Sequence, residues 1–443
     1  MKKGLIRRSI TYSTYAVIFS AAFLGLTVDY VIPYALFLGA STAAIGVIAS
    51  IPVFLASLLQ LKTNAAAKRT GRKKLCVITS SLHAFLWLGV VSTTFLPREV
   101  SIPLFMIIFT LLTVVGSFDI PAWSSMMADL IPPKRRGSFF GWRMGMLGFT
   151  HIVFSAAGGF ALSHFQKINP AAGFSLIFLS AMMFRFASSY SISRMRERPR
   201  KDAFSHFPFI NFLKGFRSSN FARFTIFQAA MTFSVYLSAP YFAVYMLRDL
   251  GFSYREYMMV ILAGTITIYS LVRRWGNLAD DFGNVRVIKL TTLFLPVISL
   301  LWMFSHNLVY LAAVQVFSGF VWSGYLISSS NFIYDVVSSS KRACAIAYFN
   351  VINGTAICAG ALLGGLLVDI MPPFFFRSSI LAVFLLSTLC RLAARIFLAK
   401  GFSDVSTRRS VPAIYLFTYA GGITPLLGFT RGVQRVMRRI FSA

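Results

Sequence analysis

Long apolar segments separated by short polar ones repeat along the whole chain of 443 residues. An apolar run of about 20 residues is long enough to cross a bilayer as an α-helix. Twelve such runs can be placed, six on each side of a polar stretch at 194–220. We predict spans at about 12–38, 42–61, 75–96, 102–127, 138–163, 172–193, 222–247, 255–275, 286–305, 309–335, 343–368 and 375–397. The pattern therefore predicts an all-α membrane protein with twelve transmembrane helices.

Composition agrees with this prediction, since 57% of the residues are hydrophobic and only 13% are charged. The first apolar run is too long for a signal peptide and lacks a small-residue cleavage site, so we take it as span 1. No phosphate-binding loop, metal cluster or nucleophile constellation is recognisable in the sequence. We therefore expect no cofactor, no metal and no enzymatic activity. The cysteines have no paired spacing and are expected to be small buried side chains: Cys76, Cys344, Cys358 and Cys390.

Positive charge is concentrated in the loops on one side of the predicted helices. Basic clusters precede span 1, follow spans 2, 4, 6, 8 and 10, and fill the C-terminal tail, whereas the alternate loops hold few basic residues. The positive-inside rule then places both termini in the cytoplasm, and we expect a multi-pass protein of the inner membrane. In a soluble protein the net charge of +30 would indicate nucleic-acid binding. Here it indicates topology and an attraction to anionic lipids, with no nucleic-acid partner.

A short sequence recurs at matching places in the two halves of the chain. Residues Gly276–Asn284 read G-N-L-A-D-D-F-G-N, and residues Asn64–Arg72 read N-A-A-A-K-R-T-G-R. A shift of 212 positions superposes Gly71 on Gly283, and it also superposes residues 39–41 on 251–253. A shift of 206 superposes a second set of charged residues, Asp129 and Arg136 on Asp335 and Arg342. These repeats predict an internal duplication, which inside a membrane is typical of transporters.

The duplication divides the chain into four predicted parts. These are a six-helix bundle at 1–193, a cytoplasmic linker at 194–220, a second six-helix bundle at 221–399 and a basic tail at 400–443. The linker is predicted to be a solvated tether, or alternatively to end in a short helix on the membrane face. A thirteenth span in the tail would place its arginines outside, so we predict a basic amphipathic helix on the inner leaflet instead.

The later copy of the repeat carries a glycine, an acid four positions on and a second glycine, which are Gly276, Asp280 and Gly283, with Arg286 following. In this pattern and its place between spans 8 and 9, the chain resembles the major facilitator superfamily. The resemblance covers spans 1 to 12. It implies two pseudo-symmetric six-helix bundles that rock around a central site, and hence a monomeric secondary active transporter of a small solute.

The earlier copy, between spans 2 and 3, departs from the family pattern. It keeps Arg69, Gly71 and Arg72, but Asn64 replaces the first glycine and Lys68 replaces the acid. In the family this acid helps to hold the outward-facing state. We therefore expect the cytoplasmic latch to depend mainly on Asp280, or the loop to have been repurposed; drift at a tolerant position is an equal alternative. Charged residues expected to form structural or gating clusters at helix ends are Asp129, Arg136, Asp335 and Arg342.

Asp29 and Asp119 lie deep inside predicted spans, where ionisable residues are costly and usually functional. Neither is repeated, because the two shifts place Tyr241 and Tyr325 at the corresponding positions. We expect a proton or cation site at one or both, the alternative being a structural hydrogen-bonded acid. Further candidates for contacts with substrate or protons are Trp123, Arg143, His151, Gln228, Tyr236, Tyr325, Asn350 and Asn353.

Two other expectations concern function and helix-end arginines. Span 5 lacks the glycine-proline pair of drug-proton antiporters, which disfavours multidrug export. Export of drugs or metabolites stays an alternative, as does a non-transporting scaffold or sensor that acts through its basic tail.

Arg185 and Arg391 superpose at the shift of 206, and we predict that both side chains extend toward the cytoplasmic surface.

Overall fold

In a computed structural model of the chain, the described residues form twelve helices that are long and apolar enough to cross a membrane. The structure describes residues 2–131, 136–197, 219–338, 342–371, 378–404 and 420, without the side chains of 2–7, 64, 128–129, 136–138 and 342–343. The spans are Arg8–Phe37, Thr42–Gln60, Arg72–Phe95, Arg98–Met127, Phe139–Phe165, Pro170–Ser193, Asn220–Asp249, Tyr254–Phe282, Asn284–Leu301, Leu308–Val336, Cys344–Ile370 and Ser379–Leu398. Their number and order confirm the predicted all-α fold. Only span 8 departs strongly in length, since it continues to Phe282 rather than ending near 275.

The two ends of the bundle are named by the chain connections they carry. Span 2 ends and span 3 begins at what we call the basic end. Span 1 ends and span 2 begins at the opposite end. Spans 1–6 are called the first half and spans 7–12 the second half. The linker and tail predictions fall almost entirely on 198–218 and 405–443, which lie outside the described residues apart from Ala420.

A proline breaks span 1 near the opposite end. The α-helix Lys2–Gly25 is followed by a 3-10 turn, Val28–Tyr30, and a short helix, Val31–Phe37. Pro33 has no N–H, so the carbonyl of Asp29, four residues earlier, has no helical donor. The hydroxyl of Tyr257, from span 8, donates to this oxygen at 2.9 Å. The break thereby becomes a contact between the two halves.

Span 4 is broken in the same way near its middle. One helix ends at Ser117 and the next begins at Asp119. Pro121 cannot donate to the carbonyl of Ser117, and the side-chain amide of Gln60 donates to that oxygen instead, at 3.2 Å. Gln60 in turn accepts a bond from Asn350 of span 11 at 3.1 Å. A second proline break is therefore tied to the other half.

Span 7 contains a π-turn, Tyr245–Asp249, in which the N–H of Leu250 bonds five residues back to Tyr245 at 2.9 Å. At the matching place in span 1, the N–H of Leu38 bonds only four residues back to Tyr34. Span 7 therefore contains one residue more than span 1, as expected for a π-bulge.

The extra residue changes the correspondence between the halves. The hydroxyl of Tyr30 donates to the carbonyl of Ser155, and the hydroxyl of Tyr241 donates to the carbonyl of Ala361. These matching bonds place Tyr30 opposite Tyr241, a shift of 211, before the π-turn. The structural counterpart of Asp29 is consequently Pro240, and the assignment of Tyr241 from the sequence is wrong by one residue.

Small residues bring the halves together from the middle of the bundle, at Gly148, to the opposite end, at Gly46 and Gly159. In spans 2 and 11, a Cβ added to Gly46 would stand 2.7 Å from the carbonyl oxygen of Ala361. In spans 5 and 8, a Cβ at Gly148 would overlap the ring of Tyr269, and one at Gly159 would overlap Met258. Helices can approach this closely only where a side chain is missing.

Spans 5 and 8 separate toward the basic end. Gly145 and Gly141 lie three and seven residues before Gly148, so they share its helix face. No described heavy atom of a neighbouring segment lies within 4 Å of a Cβ placed at either position. Spans 5 and 8 therefore part as they approach the basic end, whereas spans 2 and 11 stay in contact there through Gln60 and Asn350.

The repeated segment is helical rather than a loop, which corrects the expectation from the sequence. Helix Thr63–Thr70 precedes Gly71, and span 8 runs up to Gly283. These glycines have φ of +84° and +102°, a left-handed conformation that favours glycine and allows the chain to turn directly into the next span. In both halves, a span therefore begins immediately after a glycine turn.

A carboxylate caps the helix that follows each turn. Glu197, just beyond span 6, accepts bonds from the backbone N–H groups of Arg72 and Lys73, both at 3.1 Å. Asp404, just beyond span 12, accepts from the N–H of Val285 at 3.1 Å. An acid at a helix N-terminus satisfies free N–H groups and complements the helix dipole. In each half, these bonds thus connect the end of the last span to the start of the third span at the basic end.

Replacing Gly148 with leucine should shift the molecule away from the state described here. The new side chain would overlap Tyr269, and overpacking costs about 1–3 kcal/mol, or roughly a 5- to 150-fold change in population. Disulfide cross-linking between Gln166→Cys and Tyr254→Cys, placed where Gln166 accepts a bond from Tyr254 at 3.3 Å, measures closure of the opposite end. We expect the yield to fall.

Gly145→Leu is the matched control, because the same side chain on the same helix face meets open space. Its cross-linking should equal that of the parent without native cysteines. Equal yields from both leucine variants would contradict the interface described for spans 5 and 8.

The cap at Glu197 predicts a pH-dependent stability. Burial acts to raise the pKa of Glu197, but bonds from Lys73 and from the backbone and side chain of Arg72 outweigh it and hold the pKa below its ordinary 4.5. A lowered folded-state pKa stabilises the protein at neutral pH, and this contribution disappears as the pH falls below about 4.5. Because the side chain is 27% exposed, we expect Glu197→Gln to cost about 1 kcal/mol.

Thermal unfolding of purified protein between pH 4 and 8 measures this contribution. The unfolding temperature of Glu197→Gln should lie about 1–3 °C below wild type at pH 7, and the gap should close toward pH 4. Glu99→Gln removes an exposed acid at the start of span 4 and controls for the general effect of losing one negative charge. A gap for Glu197→Gln that stays constant over this range would count against the cap.

Candidate functional site

A cavity of about 530 Å³ lies in the second half, between spans 7, 9, 10, 11 and 12. Most of its lining is apolar or aromatic. Its polar side chains are Gln228, Thr232, Tyr236, Gln315, Ser318, Tyr325, Asn353 and Arg391. A concave, mainly apolar space with a few polar groups is typical of small-molecule sites. The structure thus brings together four residues predicted from the sequence, namely Gln228, Tyr236, Tyr325 and Asn353.

Hydrogen bonds between spans hold the polar wall of this cavity. The hydroxyl of Tyr325 donates to Gln228 at 2.7 Å, which joins span 10 to span 7. The hydroxyl of Thr232 donates to Asn353 at 3.0 Å, which joins span 7 to span 11. Asn353 also donates to the carbonyl of Phe349 at 2.9 Å. These side chains are held in defined orientations around the space.

Arg391 lies at the wall of the cavity and is 2% exposed. Its guanidinium donates to the carbonyl of Leu295 at 2.9 Å and to the hydroxyl of Ser238 at 2.8 Å, while its Nε has no partner. Among the described residues, no carboxylate oxygen lies within 4 Å of this side chain. The expectation that Arg391 extends to the surface is therefore wrong, because buried oxygens hold it inside the bundle.

Asp119 lies away from this cavity, in the first half. Its carboxylate is paired with Arg185 of span 6 and accepts bonds from the hydroxyls of Thr79 and, at 2.9 Å, Ser80. Asp119 and Arg185 are each 8% exposed. The prediction that Arg185 extends to the surface is also wrong, because it points inward to the acid. This arrangement corresponds to the structural alternative for Asp119.

Asp29 lies where spans 1, 5 and 8 meet, next to the break in span 1. Its carboxylate accepts a bond from Ser155 at 2.6 Å, and Nε2 of His151 is 3.8 Å from the same oxygen. The ring of Tyr269, from span 8, lies 6.2 Å from that of His151. The Nδ1 atom of His151 has no partner among the described residues. An acid and an imidazole are thereby placed together at the junction between the halves.

Three further candidates, Trp123, Arg143 and Asn350, lie outside the cavity of the second half. The guanidinium of Arg143 stacks 3.8 Å from the ring centre of Trp123, a cation–π contact between spans 5 and 4. Asn350 bonds to Gln60 across the contact between spans 11 and 2. None of these three side chains lines the cavity of the second half.

The predicted gating residues lie at the basic end. Arg69 and Asp280 are exposed, and Gly276 packs against Ile327 of span 10. Asp335 accepts a bond from Asn284 at 2.7 Å, which ties the end of span 10 to the start of span 9. The side chains of three more lie outside the described part of the chain: Asp129, Arg136 and Arg342.

The cysteines of the described spans are free thiols, with Cys76 buried and the other three partly exposed. Cys76 donates weakly to the backbone oxygen of Asp119 at 3.8 Å. Within the described residues, no group of three or more His, Cys, Asp and Glu side chains is arranged to hold a metal ion.

Sequence reasoning missed three important side chains, Arg391, Glu197 and Asp404. The repeat identifies Arg391 as the counterpart of Arg185, but the sequence wrongly predicts that its side chain extends to the surface. The sequence contains one signal for this difference. Arg185 and Arg391 match at the shift of 206, but Asp119 matches Tyr325, so Arg391 has no matching acid. Glu197 and Asp404 each follow the last span of a half, a repeat that becomes recognisable only when both are seen at a helix start.

Solved structures of several transporters share this fold. A bacterial homologue of the human lysosomal transporter Spinster, in an inward-facing and occupied conformation, matches with a TM-score of 0.63 and 14% identity, over 94% of this chain and 97% of that one. A D-xylose-proton symporter matches with a TM-score of 0.73 and 11% identity, over 90% and 98%. The nucleoside transporter NupG matches with a TM-score of 0.66 and 14% identity, over 89% and 99%. At these identities the likeness concerns the fold.

Sequence comparison identifies the family. No curated protein sequence shows a significant match to this chain. A family model described as Major Facilitator Superfamily matches residues 11–274 and 224–414, which together include all twelve spans. With its twelve helices in two pseudo-symmetric bundles, the chain belongs to the major facilitator superfamily of membrane transporters.

Proposed function

We propose that this protein is a secondary active transporter that moves a small organic solute by alternating access. The cavity beside Gln228, Tyr325 and Asn353 carries the proposal, because it is large enough for a small molecule and its polar groups are fixed by bonds between three spans. The protein acts as a monomer in an anionic inner membrane, with the bundles at 1–193 and 221–399 as its two moving bodies.

The basic end faces the cytoplasm in this proposal, as the positive-inside rule requires. The contacts of Gly46 and Gly159 then close the path on the external side. The separation of spans 5 and 8 beyond Gly145 opens the path toward the cytoplasm. We therefore assign the conformation described here to an inward-facing state in which spans 2 and 11 remain in contact at the cytoplasmic end.

Asp29 and His151 are the proposed site of proton coupling. They lie on the first half, while Tyr257 and Tyr269 of the second half contact the same region. A change of charge at this pair alters an interface that must open when the transporter turns outward. The affinity of this site for a proton then differs between the two conformations of the transporter. Coupling requires such a difference.

Asp119 has a different role in this proposal. Its pairing with Arg185 and two hydroxyl groups gives it a complete set of partners within one half. A buried pair of this kind contributes to the packing of the first half and does not exchange protons during transport. Coupling is therefore assigned to Asp29 rather than to Asp119.

The substitutions Asp29→Asn and Asp119→Asn separate these roles. A library of metabolites is first screened for a compound that raises the unfolding temperature, since a ligand of the folded state stabilises it. Asp29→Asn should abolish uptake of that compound driven by a pH gradient in proteoliposomes. It should keep exchange of labelled for unlabelled compound, which needs no net proton movement. Uptake that still follows the pH gradient would exclude Asp29 from coupling.

Asp119→Asn should chiefly lose stability. The change leaves Arg185 charged and buried without a counter-ion, which costs about 3–5 kcal/mol. Thermal unfolding of the purified variant should therefore begin well below that of Asp29→Asn. An Asp119→Asn protein with wild-type stability but no pH-driven uptake would reverse the two assignments.

A further inference from the structure

Each half of the protein buries one arginine at the same place in its sixth span. Arg185 in span 6 and Arg391 in span 12 are 206 positions apart, and they are 8% and 2% exposed. In the first half the charge of Arg185 is balanced by Asp119 of span 4. The hydroxyls of Thr79 and Ser80 in span 3 complete the surroundings of that acid.

The second half keeps the arginine but not the acid. Tyr325 stands at the position that corresponds to Asp119, and its hydroxyl bonds to Gln228 rather than to Arg391. Thr291 and Thr292 correspond to the two hydroxyl residues at the shift of 212. Both donate instead to carbonyls of their own helix, at 2.8 and 2.7 Å. The whole carboxylate site of the first half is therefore absent from the second.

The bonds of Arg391 leave its charge uncompensated. A guanidinium has five N–H donors, and two are accounted for by Leu295 and Ser238. Both acceptors are neutral, and no acidic residue lines the adjoining cavity. A buried charge without a counter-ion is strongly unfavourable and is retained mainly where it serves a function. In the first half the protein supplies the anion, whereas in the second half a cavity adjoins the arginine.

We propose that Arg391 binds the anionic group of the transported solute, which takes the role that Asp119 has beside Arg185. This inference rests on the proposed transport function and names its substrate class: an organic anion with a carboxylate or phosphate group. The rest of the cavity is lined by apolar and aromatic side chains, including Tyr236, Trp302, Trp322 and Phe349. The solute therefore has an apolar or aromatic body, and an organic cation is repelled by Arg391.

Thermal unfolding of the purified full-length protein in neutral detergent tests the substrate class. The probes are benzoate, phenyl phosphate, benzamide and benzylammonium, with dioleoylphosphatidylglycerol as a lipid carrying the same anionic chemistry. We expect benzoate or phenyl phosphate to raise the unfolding temperature, and the amide and the ammonium to leave it unchanged. Stabilisation by neither anion, by the ammonium equally, or by the lipid alone would overturn the proposal.

Substitutions then locate the anion. Arg391→Gln should weaken the affinity for the stabilising anion by about 10- to 100-fold, since it removes a charged hydrogen-bond donor. Tyr325→Asp would place an acid where the first half has one, so that it competes with the ligand for Arg391. We expect it to weaken binding to a similar extent while Arg391 stays in place. Tyr325→Asn has nearly the same shape as Tyr325→Asp without the charge and loses the same bond to Gln228, so Tyr325→Asp should bind about 10-fold more weakly than Tyr325→Asn.

The same titrations decide whether Arg391 is the binding residue. Wild-type affinity in Arg391→Gln, or equal weakening by both Tyr325 variants, would refute the assignment. If Arg391→Gln fails to fold, the comparison of the Tyr325 variants still gives an answer. Binding is measured without a pH gradient, so an anion that binds but is not driven by protons refutes only the coupling. Proton-driven uptake of a neutral solute refutes only the anion site.

Discussion

The structure depends on one constraint, which is that polar groups inside an apolar bundle must find partners within the protein. Pro33 and Pro121 each leave a helix carbonyl without its donor, and side chains from other spans supply the missing bond. The donor to the first carbonyl is Tyr257 of the second half. The donor to the second is Gln60, which is itself bonded to Asn350 of the second half. The two proline breaks thus become points at which the halves are attached.

The same constraint gives the two buried arginines different surroundings. The charge of Arg185 is neutralised by Asp119, so the first half forms a self-contained packing unit at this place. Arg391 is held by a carbonyl and a hydroxyl, beside an open space and without an acid. The two halves of the duplicated fold therefore differ at this place: the arginine of the first half has an acid as its partner, and the arginine of the second half lies beside an open space. The cavity of the second half thus adjoins the arginine that has no acid.

The proposed movement between the halves requires contacts that are close but can be broken. Glycines in spans 2 and 5 allow backbone-to-side-chain packing near the opposite end, and these contacts contain no buried charge pair of fixed geometry. Within each half, the caps at Glu197 and Asp404 fasten the last span to the third. The attachments inside a half thus include ion pairs and capping carboxylates, whereas those between the halves combine close contacts at glycines with hydrogen bonds such as Tyr257 to Asp29 and Asn350 to Gln60.

The sequence by itself determined the twelve spans, the duplication and the family, because long apolar runs and repeated glycines are local signals. It also identified four side chains of the cavity, Gln228, Tyr236, Tyr325 and Asn353, although as individual candidates. Only the tertiary structure decided which buried charges have partners. Asp119 and Arg185 are 66 positions apart, and Asp29 and Tyr257 are 228 apart, so no local pattern reveals their contacts. The absence of an acid beside Arg391 depends on the packing of five spans, and therefore became visible only in the folded bundle.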